Sequence, residues 1–125
     1  MNVLLWIVQG LLTLMFLMAG AMKLSKSKKE LREKLGGWVD QYTDISIKLI
    51  GLAELLGAVG LILPMAIGVL PILTPLAAIG LAMTMVGAMK VHYERKEKSK
   101  VITNIVLMLL AVFVVIGRLY LAPIV

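Results

Sequence analysis

Glu54 is the residue whose type and setting most demand chemistry. It stands in LIGLAELLGAVGLIL, residues 49–63, a run with no other charged side chain. An ionised carboxylate at the centre of a membrane span costs about 2.5–3.5 kcal/mol. Gly51, Gly57 and Ala58 lie at i−3, i+3 and i+4 from it, and small residues on one helix face let another helix approach closely. The spacing therefore predicts that Glu54 points into a helix bundle. There it is either protonated and hydrogen-bonded, or ionised and paired with a base. Such a group, helped by a cation, would hold a lipid headgroup or a small acid by charge-assisted hydrogen bonds.

Arg118 is the best candidate partner. It sits near the end of the last apolar block, and at roughly 1.5 Å per residue Glu54 lies about 9 Å deeper. An arginine turned inward spans much of that gap; the alternative is that Arg118 snorkels to headgroups. Lys48, one turn inside its boundary, is explained by snorkelling or takes a functional role. Lys23 and Lys90 end their blocks in matching GAMK contexts and read as interfacial anchors, with a functional role the alternative, for Lys23 as part of the polar intramembrane site. His92, beside Tyr93 and Glu94, would exchange protons near neutral pH or bond a headgroup or partner. One histidine and no cysteine predict no metal site, no disulfide and no thiol chemistry by this chain. No catalytic constellation and no flavin, haem or nucleotide motif is legible, so no residue is read as catalytic and no covalently bound cofactor is expected. Gln9, Thr13, Thr84 and Asn104 suit interhelical hydrogen bonds of about 0.6 kcal/mol each. Gly80, Thr84 and Ala88, four residues apart, form a packing stripe, and the methionines are apolar filler.

These residues have to be positioned by helices in a bilayer. The chain is 61% hydrophobic and 16% charged, where a soluble domain has about a quarter charged residues. Its apolar residues fall in four blocks, roughly 3–22, 45–63, 69–89 and 101–121, each long enough to span about 30 Å of hydrocarbon. One all-α membrane domain, a four-helix bundle over 1–125, is expected. The first block lacks a basic stretch before it and reads as a retained span. Pro64 is expected to close the second block, and Pro71 and Pro75 to lie in the first turns of the third, where proline does least harm.

The net charge of +6 does not indicate nucleic acid, because the basic residues sit between spans. Segments 23–44 and 90–100 hold eleven of the thirteen Lys and Arg. The positive-inside rule places both on the cytoplasmic side of a cell membrane, a bacterial cytoplasmic membrane being the natural setting, with both termini outside. Within 23–44 a short surface helix with Leu31, Leu35 and Trp38 toward lipid, or a solvated loop, are the two readings. LMAGAMKL (17–24) and TMVGAMKV (84–91) agree at five of eight positions, which is either a trace of a duplicated hairpin or coincidence.

GLAELLGAVGLILP (51–64), PLAAIGLAMTMVGAMKVHYERKE (75–97), GRLY (117–120) and FLMAGAMKL (16–24) together resemble the DoxX-like family across all four spans. The resemblance places Lys23, Glu54, His92 and Arg118 where the family pattern carries Lys, Glu, His and Arg. It implies a four-helix membrane bundle without a single activity: some members resemble a small subunit of a thiosulfate:quinone oxidoreductase, others belong to redox-stress complexes, and distant relatives assemble other membrane proteins. The leading expectation is a non-catalytic membrane subunit of a quinone- or thiol-linked redox system, with a polar intramembrane site binding quinone or lipid. The alternatives are a structural or assembly factor and a small proton-coupled transporter component. Membrane lipids and a protein partner or second copy are the expected partners.

Overall fold

The computed structural model describes residues 1–123. Among these the chain is all-helical: α1 (Asn2–Ser25), α2 (Lys28–Leu35), α3 (Asp44–Ile67), α4 (Leu73–Glu94) and α5 (Lys98–Ile116). A single turn of 3₁₀-helix, Gly37–Gln41, follows α2, and a π-helical turn, Gly117–Leu121, ends α5. Four helices are long and apolar enough to cross a membrane, each of 22 to 24 residues once the π-turn is joined to α5. Leu4, Leu11, Leu14 and Met18 on α1 and Leu49, Leu56 and Leu63 on α3 are largely exposed. So much outward apolar surface suits hydrocarbon and not water.

α1 packs along α3, α3 against α4, and α4 along α5, while α1 and α5 meet less extensively. Leu12, Phe16, Leu61, Leu81, Ala111 and Val114 meet in the centre of the bundle. One end of the bundle carries the charged segments and α2; the other carries the N-terminus, the α3–α4 turn and the π-turn.

Proline places the α3–α4 turn differently from the sequence expectation. Pro64 lies inside α3, which runs on to Ile67. A proline has no N–H for the carbonyl four residues back. Here that carbonyl, Gly60 O, accepts the Thr74 hydroxyl from α4 at 2.9 Å, so the helix continues with its acceptor satisfied. Gly68, at φ +69°, then closes α3 in the left-handed conformation that glycine adopts without strain. Pro71 falls in the turn outside α4, whose first turn holds Pro75.

The segment after α1 forms a cap. Ser27 and Glu30 make a reciprocal capping box that starts α2. Leu31, Val39 and Ile47 are fully buried together, with Met22, Leu35, Trp38 and Tyr42 around them. Leu31, Leu35 and Trp38 thus turn onto the end of the bundle and not toward lipid, a correction to the surface-helix reading. Lysines pin the cap. Lys28 Nζ donates to Tyr42 O at 2.6 Å and Lys100 Nζ to Leu35 O at 2.8 Å. Lys48 reaches across from α3 to three carbonyls at the end of α1, those of Lys23, Leu24 and Lys26, at 2.8 to 3.1 Å. Helix C-terminal carbonyls lack intrahelical donors and carry partial negative charge, so an ammonium suits them. Lys48 is therefore neither snorkelling nor free.

Candidate binding site within the bundle

The site begins with a close helix crossing. A Cβ on Gly20 would lie 2.6 Å from Gly51 O and 2.9 Å from Leu55 N, and one on Gly51 would lie 2.7 Å from Lys23 Cβ. Only glycines allow α1 and α3 to touch backbone to backbone there. The crossing sets Lys23 one turn from Glu54, and Lys23 Nζ stands 2.6 Å from Glu54 Oε1. Both side chains are more than nine-tenths buried.

Glu54 is therefore paired with Lys23 and not with Arg118, correcting the sequence expectation. Arg118 is buried near the other end, where its Nε donates to Gln9 Oε1 at 2.7 Å and its Nη1 to Asn2 Oδ1 at 2.6 Å. Its guanidinium lies 5.1 Å from the Trp6 ring, a cation–π contact. Gln9 in turn donates to Leu61 O, two turns beyond Glu54 on α3. At 1.5 Å per residue those two turns are on the order of 10 Å, a gap that Arg118 does not cross. Of the two readings of Lys23, the interfacial anchor is the one overturned, since its side chain turns inward to Glu54. Its counterpart Lys90 stays exposed.

Between the Lys23–Glu54 pair and the cap lies a cavity of about 530 Å³. Its polar lining is Lys23, Glu54, Thr84, His92, Thr103 and Asn104, with Trp38 and Tyr42 at the cap and Phe16, Ile50, Met85 and Leu107 among the apolar walls. The Trp38 ring meets His92 edge-on at 5.8 Å and Tyr42 at 5.9 Å, and the Lys23 ammonium lies 6.0 Å from its centroid. The Asn104 amide nitrogen is buried and has no hydrogen-bond partner among the described residues. Such an orphan is costly in an apolar setting.

His92 Nδ1 stands 2.9 Å from Glu97 Oε1. Hydrogen bonding to His92, with Lys100 and Arg95 alongside, holds the Glu97 carboxyl down at about 2. A carboxylate accepts only, so Nδ1 carries the proton and Nε2 is the ring nitrogen left for a ligand. A depressed carboxyl stabilises the fold above its ordinary value of 4.5 and loses that contribution as pH falls toward 2. In acid titrations followed by near-UV circular dichroism, the parent protein loses stability across that window. Glu97→Gln starts lower and shows a flatter profile there.

The remaining expectations divide. Gly57 receives Leu81 and Gly60 receives Ala77, so the small face of α3 packs against α4 within the chain. Ala58 is fully buried in the core, and its carbonyl accepts the Thr13 hydroxyl at 3.0 Å. The stripe on α4 is split: a Cβ on Gly80 would meet nothing within 4 Å, Ala88 lines the cavity, and the Thr84 hydroxyl bonds back to Gly80 O. Trp38, Tyr42, Thr103 and the linking Glu97 were not singled out as site residues from the sequence. Trp38 and Tyr42 lie in the polar segment, where nothing along the chain indicates that it folds back over the bundle.

Residues 7–114, most of the chain, match the DoxX-like family. No curated protein and no solved structure matches the chain.

Proposed function

We propose a role that proceeds from one premise: the chain belongs to the DoxX-like family. In this role it is a non-catalytic accessory subunit of a quinone-linked redox system in the cell membrane, and its cavity holds a quinone headgroup. The observation that carries the reading is the clustering of four buried polar side chains, Lys23, Glu54, His92 and Asn104, on one largely apolar cavity inside a membrane bundle.

A quinone headgroup is a flat apolar ring with two carbonyl acceptors. The Asn104 amide and the Lys23 ammonium are donors suited to such oxygens, and the rings of Phe16, Trp38 and Tyr42 supply apolar and aromatic surface. His92, whose Nδ1 is held by Glu97, leaves Nε2 as an acceptor suited to the hydroxyl of the reduced, hydroquinone form. The positive-inside rule makes the charged end cytoplasmic.

The test is binding of a water-soluble naphthoquinone to the purified protein in lipid nanodiscs, read by tryptophan quenching. Saturable quenching is expected, and Asn104→Leu is expected to weaken it by about tenfold, the loss of one hydrogen bond of roughly 1–1.5 kcal/mol. Quenching that rises linearly without saturation, or is the same in Asn104→Leu, would refute the quinone site.

A further inference from the structure

We infer that the cavity is entered sideways from the bilayer, and that its ligand carries a hydrocarbon tail lying between α1 and α5. The inference rests on the quinone reading for the identity of the headgroup, and the tail is then that quinone's isoprenoid chain.

Both ends of the cavity are closed. At the charged end Trp38 packs on His92 and Tyr42 over the buried cluster of Leu31, Val39 and Ile47. Lys28 and Lys100 hold this cap to carbonyls of its own backbone. A lipophile from water would have to displace the whole assembly. At the other end the core layer of Leu12, Leu61, Leu81 and Val114 fills the bundle, and beyond it lies the Gln9–Arg118 network.

The sides differ. α1 and α5 pack together less than their neighbours do. The cavity residues on that seam are Met15 and Ala19, one turn apart on α1, and Thr103 and Leu107, one turn apart on α5. Met15 is 46% exposed and Thr103 is exposed too, so the lining runs continuously from the polar groups to the lipid-facing surface. Ala19 is small and Met15 is flexible, which suits an opening that a chain passes through. On the opposite flank, Gly57 against Leu81 and Gly60 against Ala77 draw α3 and α4 together, leaving only Gly87 exposed at the cavity edge.

The chain has two tryptophans, so in a Trp6→Phe background Trp38 alone reports on the cavity. The probes are a naphthoquinone without a side chain and the same ring bearing a four-unit isoprenoid chain, in nanodiscs of phosphatidylcholine. Filling the lipid-facing mouth of the seam with Met15→Phe or Ala19→Phe, which add bulk without adding a second tryptophan, should weaken the tailed probe by about tenfold and leave the tail-less probe within about twofold. Retained binding of the tail-less probe shows that each variant folds. Gly80→Phe, on the α3–α4 flank and outside the cavity, should affect neither probe. Equal losses for both probes in both seam variants, or a selective loss of the tailed probe in Gly80→Phe, would overturn the α1–α5 route while leaving the quinone site standing. Absence of saturable quenching by either probe in the Trp6→Phe parent would instead remove the quinone site, and the tail with it.

Discussion

Glu54→Leu alone is expected to destabilise the protein by about 3 kcal/mol, because it leaves the Lys23 ammonium buried without its counter-charge. Lys23→Met alone should cost about as much, for the mirror reason. The double variant Lys23→Met with Glu54→Leu should recover most of that loss, since apolar groups of similar size in place of a buried ion pair are often neutral. Unfolding of the four proteins in mixed micelles, analysed as a double-mutant cycle, measures this directly. A double variant as unstable as the sum of the two singles would mean that the side chains act independently and that the 2.6 Å pair is not an energetic unit. The recovered double variant also separates stability from binding: it should be folded and yet fail to bind a quinone saturably, because the ammonium donor is gone.

The second large effect is expected at the α1–α3 crossing. Gly20→Val places branched carbon against backbone atoms of Gly51 and Leu55, which have no rotamer with which to retreat. Overpacking of this kind costs about 1–3 kcal/mol, and here the upper figure applies because the helices themselves must separate. Separation also withdraws Lys23 from Glu54, so loss of ligand binding should accompany loss of stability. Gly10→Val and Gly80→Val serve as controls, since nothing lies within 4 Å of a Cβ at either position. Both should stay within about 0.5 kcal/mol of the parent. If Gly80→Val proved as damaging as Gly20→Val, the small stripe on α4 would be in contact with another helix in the membrane.

The two GAMK segments show how far pattern along a chain carries. Gly20 and Gly87, and Lys23 and Lys90, occupy the same places in nearly the same words. Yet Gly20 sits in a backbone-to-backbone helix contact and Lys23 is buried against an acid, whereas Gly87 has open space and Lys90 is exposed. The difference lies in what stands opposite: α3 presents Gly51 and Glu54 to the first segment, and nothing comparable faces the second.

What the sequence determined by itself was the four spans, the charge confined to two segments at one end, and a Glu54 drawn inward by the glycines and alanine on its face. These follow from apolar length and helical period, which are properties of each segment alone. Only the tertiary structure decided that Lys23 answers Glu54, that Arg118 bonds Gln9 and Asn2, that Lys48 closes the end of α1, and that Trp38 roofs a cavity shared with His92 and Asn104. Each of these depends on which helix lies beside which and at what height. That register is set by close contacts such as Gly20 on Gly51, between residues far apart in the chain, so no spacing within one segment encodes it.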